Sequence, residues 1–196
     1  MSNNQSKIII NNQIANRHTA YEALSQTVKE YSSRVAYNAR LLFLKAIDKG
    51  IYSDYNDLDI KYAEDIFEIF KLFDVGYAFE GGENVYSGTA LPMQHIELGS
   101  QVFFSDVKTK EDFKNLDAKE KFIRRAAKEV CYYHHERWDG HGFPEGLRME
   151  ETPLLARIVA ICYGFENLTY SNSKQIRLSK NEALRNIASE VGKAYD

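Results

Sequence analysis

The part of the chain richest in groups that could do chemistry is "HHERWDGHGFPEGL", residues 134–147. Two adjacent histidines, an acid and a third histidine are crowded against glycines and a proline, which bend the chain. Imidazole together with carboxylate suits iron, manganese or zinc. The segment is therefore a candidate metal site, although a histidine is more often an ordinary polar residue than a metal ligand.

Asp74 in "KLFDVGY" and His95 in "PMQHIELGSQVF" are further candidate ligands. On a helix, His134 and His135 would point about 100° apart. They would then serve two neighbouring ions, or one ion and a phosphate, rather than chelate one ion together. Spacing alone gives only a weak signal for such a site.

The composition excludes several classes of function. The 196 residues suit a single domain with a substantial core. The net charge of −3 and the lack of a strongly basic stretch exclude a nucleic acid polymer as partner. The N-terminal residues form neither a signal peptide nor a membrane span, which predicts a cytoplasmic protein without a membrane partner. Cys131 and Cys162 lie in apolar stretches without a CxxC pair, and we expect buried, reduced thiols.

The elements that must position these residues are predicted to be helices. Apolar residues recur at helical spacing in three segments, residues 18–49, 57–74 and 117–135. Residues 76–92 hold four of the eleven glycines and are predicted to form a loop, whose final proline suits the start of the next helix. Residues 1–17 are expected to be a tail or linker, with at most a short strand over residues 7–10.

Two local signals predict the last helices. Thr152-Pro153 combines a capping hydroxyl with a proline at the first helical position. Ser179 and Glu182 form a capping box for a helix that ends near Glu190. Because no strand alternation of useful length is found, the predicted fold is all-α, a bundle of about six or more helices.

The order of motifs resembles the signature half of the HD-GYP family, a branch of the HD metal phosphohydrolases. The segment "HHERWDGHGFPEGLRMEETPLLARIVAICYGFENLTY", residues 134–170, follows the family pattern HHE-x-WDG-x-GYP-x-GL and a Pro-led helix that begins ARI. Upstream, "FDVGY" falls at the family's His-Asp pair with its Gly-Lys, and "QHIELG" at a lone ligand histidine. The resemblance covers roughly residues 20–196 and implies an HD-domain-like helical bundle over residues 18–196.

The resemblance also implies a chemistry. Family members cleave cyclic di-GMP or a related cyclic dinucleotide with two or three metal ions, which activate a bridging water and neutralise the phosphate. Asp74, His95, His134 and His135 match ligand positions of the family, and Asp74 would be the catalytic residue if the chain is active. Arg137, Arg148 and Arg157 could contact phosphate or guanine, although ion pairs with nearby carboxylates would explain them equally well.

Several positions depart from the family pattern. The upstream Glu and His fall on Thr27 and Tyr31, the first His of the pair on Phe73, the Lys on Tyr77, the late Asp on Tyr163 and the Tyr of GYP on Phe143. Tyr31, Phe73 and Tyr163 are predicted to lie in contact with one another and with Asp74, where they would fill the volume of one ion with rings. We therefore expect either no metal or a single divalent transition metal (Fe, Mn or Zn) at low occupancy.

Three functions follow from this pattern. The first is a catalytically silent relative that binds a cyclic dinucleotide or a protein partner in a signalling pathway. The second is a residual one-metal cyclic di-GMP phosphodiesterase centred on Asp74 and the three histidines. The third is a purely structural helical module without a ligand.

The corner itself and the chain end carry further expectations. Trp138 is expected to anchor the corner in the core, while Asp139-Gly140 and Gly142 make its turns. His141 would be a solvated turn histidine or an extra ligand. The family carries a Gly-x-x-Phe-Asp-Pro corner before one more short helix; since "SEVGKAYD" ends inside that corner, we expect that helix to lie outside this sequence.

Overall fold

The computed structural model describes residues 9–10, 13–14, 16–51, 63–80, 92–170 and 177–196. Eight α-helices lie in these ranges: α1 Arg17–Glu22, α2 Gln26–Asp48, α3 Ala63–Lys71, α4 Pro92–Val102, α5 Lys110–Asn115, α6 Ala118–Tyr133, α7 Leu154–Thr169 and α8 Lys180–Ser189. Two short 3-10 helices are added at Val75–Glu80 and Met149–Glu151. In the described residues the β structure is one antiparallel pair, β1 Ile9–Ile10 with β2 Gln13–Ile14. The prediction of an all-α bundle is confirmed.

The core is built where the long helices meet. Helix α2 packs against α3 and α7, and α6 packs against α3, α4 and α7. Buried apolar side chains from these helices and the turn after α4 form one cluster, which includes Phe43, Phe70, Phe103, Val130 and Leu154. Cys131 and Cys162 are buried and unpaired, as predicted. None of the helices in the described ranges combines the length and the apolar character that a membrane crossing needs.

The first predicted helix is wrong in its extent. Residues 18–49 form two helices, because Ser25 is the N-cap of a separate helix α2. Its hydroxyl accepts a hydrogen bond from the Val28 backbone N–H at 3.3 Å. The predicted second helix is described from Ala63, and residues 57–62 lie outside the described part. Residues 76–80, predicted as loop, belong to a 3-10 helix, while residues 81–91 of that loop are also outside it.

The prediction at residues 152 and 153 is also wrong in detail. Pro153 is the N-cap of α7 rather than its first helical residue, and it has no side chain that could cap. The buried Thr152 hydroxyl has no hydrogen-bond partner within the described part of the chain. Helix α5 was not predicted, although Thr109 and Asp112 form its capping box. The capping box of Ser179 is confirmed.

The corner after α6 folds around a buried carboxylate. The Glu136 oxygens accept hydrogen bonds from the backbone N–H groups of Glu145, Gly146 and Leu147 at 2.7, 3.1 and 3.1 Å. Three donors converging on one carboxylate hold the end of the corner in a single arrangement. Neither periodicity nor capping signals in the sequence indicate this role.

The C-terminal segment closes the other side of the corner. The Trp138 and Asp139 backbone N–H groups donate to the carbonyl oxygens of Ala194 and Lys193 at 3.2 and 2.8 Å. Trp138 is partly exposed rather than a core anchor, and the Arg157 guanidinium lies over its ring at 5.5 Å. The indole therefore packs under a charged side chain at the edge of the bundle.

The three backbone hydrogen bonds to the Glu136 carboxylate, which we call the Glu136 cradle, predict a loss of stability when Glu136 is substituted. In Glu136→Gln the amide keeps one acceptor oxygen and turns N–H donors toward backbone donors, so the free energy of unfolding should fall by about 1–3 kcal/mol. Urea unfolding measures this fall, and hydrogen exchange at residues 145–147 should become faster. Glu150→Gln, at an exposed glutamate, is the matched control and should change neither quantity. Unchanged exchange at these amides in Glu136→Gln would contradict the cradle.

Candidate metal centre

Four candidate ligands from three parts of the chain meet in one place. Asp74 follows α3, His95 lies in α4, and His134 and His135 come at the end of α6. The Nε2 atoms of His95 and His134 lie 3.7 and 3.5 Å from Asp74 Oδ1. His135 Nε2 is 3.2 Å from His95 Nε2, and the three histidines offer ligand atoms within 4.8 Å of one another. The three histidine nitrogens therefore lie close enough to share one ion, and Asp74 Oδ1 lies beside two of them.

The backbone fixes the tautomer of His134. Helix α6 ends at Tyr133, so His134 is its C-cap and His135 has left the helix. His134 Nδ1 lies 3.1 and 3.0 Å from the carbonyl oxygens of Val130 and Cys131. Because carbonyls only accept, Nδ1 must carry the proton and donate it. The Nε2 lone pair then points toward Asp74, which is the arrangement that metal-ligating histidines use.

Several buried polar atoms at this centre lack hydrogen-bond partners in the described part of the chain, and a cation would pair with them. Both Asp74 oxygens and His134 Nε2 are buried, and none has a hydrogen-bond partner in the described residues. Asp74 is 1% exposed, and His95 and His134 are 0% and 1% exposed. A buried carboxylate beside a nitrogen lone pair is costly unless a positive charge lies between them. The donor set, one carboxylate and three imidazoles, fits a divalent transition metal.

The imidazoles are in the form that binds a metal. Burial lowers the pKa of His95 to about 4; the nearby Asp74 opposes this shift and His134 adds to it. Burial is also the main reason why the pKa of His135 lies well below its ordinary value. Both rings are therefore neutral at neutral pH and keep a lone pair.

Three aromatic rings fill the space next to His134. The ring centroids of Tyr31, Phe73 and Tyr163 lie 6.3, 6.1 and 5.9 Å apart in pairs, and the Phe73 ring meets the His134 ring edge-on at 5.1 Å. The structure thus brings together the three rings that the sequence places at lost ligand positions. Such tilted and edge-on contacts are the favourable geometry for aromatic pairs.

The hydroxyl groups of this triangle are satisfied without an ion. Tyr31 Oη donates to Asn167 Oδ1 at 2.7 Å, and the Tyr163 side chain also hydrogen-bonds Asn167. Burial, with the nearby Asp74 charge, raises the pKa of Tyr163 to about 12, so it stays a neutral phenol. Sequence reasoning missed Asn167; its one signal is its position four residues after Tyr163, on the same face of α7.

Two more aromatic rings stack on His95 and His135. Tyr77 stacks on His95 with centroids 4.3 Å apart and planes 6° from parallel, and Phe143 stacks on His135 at 4.5 Å and 22°. Tyr77 is itself buried, so this ring closes the His95 side of the centre. Closed sites are typical of structural metals, whereas a catalytic metal such as zinc keeps one coordination position open.

The remaining candidate residues, which are three arginines, His141 and Thr27, have other partners or are exposed. Arg137 forms two hydrogen bonds with Asp139, at 3.1 and 2.8 Å, and Arg157 pairs with Asp196. These contacts favour the ion-pair interpretation for both arginines. Three further residues are exposed: Arg148 at the corner, His141 at 3.4 Å from Asp139, and Thr27 in the first turn of α2.

Comparison with known proteins adds an independent line of argument. The family model described as HD domain matches residues 114–196. A cyclic di-GMP phosphodiesterase of Thermotoga maritima is 39% identical over 77 residues, 37% of this chain and 20% of the relative. The 3′3′-cGAMP-specific phosphodiesterase 2 of Vibrio cholerae is 24% identical over 185 residues, 93% of this chain and 32% of the relative.

A third relative is the cyclic di-GMP phosphodiesterase response regulator RpfG of Xanthomonas campestris, 36% identical over 67 residues, 34% of this chain and 18% of the relative. The matched part of the chain covers less than one third of the length of each of these relatives. Residues 114–196, which carry the "HHERWDGHGFPEGL" corner, belong to the HD-domain family, and the relatives and the helical bundle agree with the resemblance to its HD-GYP branch.

Proposed function

We propose that residues 18–196 form an HD-GYP domain of cyclic-dinucleotide signalling that hydrolyses no substrate and acts by binding. The ligand is a cyclic dinucleotide or a protein partner in the signalling pathway. Relatives that are named as phosphodiesterases for cyclic di-GMP and 3′3′-cGAMP support the signalling context. Residues 1–17 would serve as a tail or linker to this domain.

One observation carries the proposal. Tyr31, Phe73 and Tyr163 pack together beside His134, where the resemblance to the family implies the ligands of one ion. Carboxylate and imidazole groups on that side are replaced by rings, whose hydroxyls hydrogen-bond Asn167. A two-ion mechanism needs both halves of the centre, because the bridging water loses its activation when one ion is lost.

The remaining half is suited to hold one ion. Asp74, His95, His134 and His135 would bind a single iron, manganese or zinc ion through one oxygen and three nitrogens. A bound ion of this kind supplies Lewis acidity and lowers the pKa of a ligated water. The side chains would join the turn after α3, the start of α4 and the end of α6, so a bound ion would stabilise the bundle. Tyr77 lies over His95 and takes the place of the family's lysine, which removes a positive charge for phosphate.

A residual one-metal phosphodiesterase is the second candidate. The observation that favours it is the cluster of three imidazoles with Asp74 beside two of them, and His135 of this cluster is partly exposed. The two candidates differ in one measurable respect, because only the second turns over a cyclic dinucleotide in a manner that depends on the ligand residues.

Metal content and turnover, measured on the same preparation, test the proposal. Elemental analysis should find at most one Fe, Mn or Zn ion per chain, and His134→Ala should remove it while His141→Ala, at an exposed histidine, retains it. Chromatography after incubation with cyclic di-GMP or 3′3′-cGAMP and added Mn²⁺ should show no hydrolysis above the His134→Ala background. Losing one ion's Lewis-acid role removes several kcal/mol, and each ~1.4 kcal/mol is tenfold in rate.

Two tightly bound ions in the unmodified protein, or hydrolysis that disappears in His134→Ala, would instead establish the phosphodiesterase. Calorimetric titration with the same two nucleotides then separates nucleotide binding from protein binding. A domain that takes up neither nucleotide would leave two alternatives, a protein partner or a purely structural helical module without a ligand.

Restoring the lost ligands should restore the second ion before it restores activity. In Phe73→His with Tyr163→Asp, with or without Tyr31→His, we expect uptake of one further metal equivalent, because imidazole and carboxylate replace rings next to His134. The matched control, Phe73→Leu with Tyr163→Phe, opens a similar space without ligands and should take up no additional ion. Circular dichroism should establish that both double variants are folded. A folded restored variant that takes up no further metal would contradict the assignment of these positions.

A further inference from the structure

A second surface of the protein is an open groove of about 1530 Å³ between α6 and the region formed by the end of α4, the α4–α5 connection and α5. We name it the basic groove, after five cations that line it: Lys108, Lys110, Lys114, Arg125 and Lys128. It runs along α6 to the last turn of that helix and contains none of the four candidate metal ligands. It is therefore a separate surface.

The charge of the basic groove is opposite to that of the chain. Its five cations are all exposed, and the carboxylates that line it are Glu129 and Glu145. The whole chain carries a net charge of −3. Of the five cations, Lys114 pairs with Glu111 outside the groove lining, at 3.2 Å. This concentration of positive charge favours a negatively charged occupant.

Aromatic rings lie between these cations. Phe104 and Phe113 form one pair with centroids 5.9 Å apart, and Tyr132 and Tyr133 form another at 5.0 Å. The Arg125 guanidinium lies 4.9 Å from the Phe113 ring centroid. All four rings are partly exposed, so the groove offers apolar contact area as well as charge. Partly exposed aromatics beside arginine are typical of interface hot spots.

A buried arginine holds the two walls of the groove together. Arg124 of α6 donates to the Phe103 carbonyl oxygen at 3.0 Å and to Asp106 Oδ2 at 2.9 Å. These bonds tie the α4–α5 connection to α6. The groove is therefore already formed before any partner arrives, which lowers the entropic cost of binding.

The dimensions fit a peptide segment better than a small molecule. From Arg125 to Tyr133 the groove follows α6 for roughly 12 Å, about two helical turns. Its volume of about 1530 Å³ exceeds the roughly 300–1,000 Å³ that is usual for small-ligand pockets. Two carboxylates within the groove would repel the continuous phosphate backbone of a nucleic acid.

We propose that the basic groove docks an acidic amphipathic segment of a protein partner. Carboxylates of the segment would meet the rim cations, and its large apolar side chains would pack on the aromatic pairs, as in other helix-in-groove complexes. Because the groove lies outside the metal centre, this inference stands whether or not that centre hydrolyses a nucleotide.

A designed probe tests the charge requirement. The probe is a fluorescein-labelled helical peptide of about three turns, with Leu and Phe at i, i+3, i+4 and i+7 and Glu at the other positions. Fluorescence anisotropy should show binding that weakens as salt is raised. A matched peptide with Gln in place of every Glu should bind at least about tenfold more weakly.

Matched double variants locate the binding on the protein. Lys108→Glu with Lys110→Glu should weaken binding of the acidic peptide at least about tenfold, since both residues lie on the rim and the second change suits the first turn of α5. Lys180→Glu with Arg185→Glu makes the same change in net charge on exposed positions of α8 and should stay within about twofold of the unmodified protein. Phe113→Ala, checked for folding by circular dichroism, should weaken binding without changing its salt dependence.

Several outcomes would overturn the proposal. They are no binding of the acidic peptide, equal binding by the Gln peptide, or equal losses in the two double variants. Tighter binding of a single-stranded oligonucleotide would reassign the groove to nucleic acid. A dimer that Lys108→Glu with Lys110→Glu converts to a monomer in light scattering would reassign it to a second copy of the chain.

Discussion

The buried carboxylate of Asp74 is the constraint on which the rest of the site depends. Its oxygens have no hydrogen-bond donor among the described residues, and the Nε2 atoms of His95 and His134 lie 3.7 and 3.5 Å from Oδ1. The Nδ1–H group of His134 donates hydrogen bonds to backbone carbonyls, and burial keeps His95 neutral. A positive charge at this point would satisfy the carboxylate and both lone pairs at once. A single ion would do this and would also join three segments of the bundle, so metal binding and stability would be coupled.

The half of the site that contains Tyr31, Phe73 and Tyr163 has its polar groups paired without an ion. Replacing a single ligand by an aromatic residue would leave the others as buried, unpaired polar groups, which is costly. Here three positions carry rings that pack on one another, and Asn167 hydrogen-bonds both Tyr31 and Tyr163. The pKa of about 12 at Tyr163 keeps its hydroxyl from acting as an anionic ligand. The substitutions are therefore mutually consistent, which is the main physical reason to infer one ion rather than two.

Sequence reasoning correctly predicted elements that local signals define, such as capping boxes. It was wrong or silent where tertiary packing determines the structure. Ser179 with Glu182 marks a helix start by its own chemistry, whereas the break between α1 and α2 lies inside a continuous apolar pattern that a single serine interrupts. Helix α5 has only one large apolar residue, Phe113, and so shows little periodicity. Asp74, His95 and the adjacent pair His134-His135 are separated from one another by tens of residues, and only the family pattern, not spacing, connected them. The role of Glu136 depends on how the corner closes over it, which no local pattern reveals.

The corner after α6 connects the surfaces that this structure suggests for binding. Its first residues are His134 and His135 of the metal centre, and the helical turn before them supplies Tyr133 to the basic groove. Its far end supplies Glu145, whose side chain hydrogen-bonds Tyr133 and whose backbone N–H is held by Glu136. Allosteric coupling requires an element with two discrete arrangements. The corner instead makes three hydrogen bonds to one buried carboxylate and two more to the C-terminal segment. These bonds favour a single rigid arrangement. We therefore interpret the metal centre and the basic groove as parts of one rigid support, in which a bound ion would stabilise the surface that the proposed partner would contact.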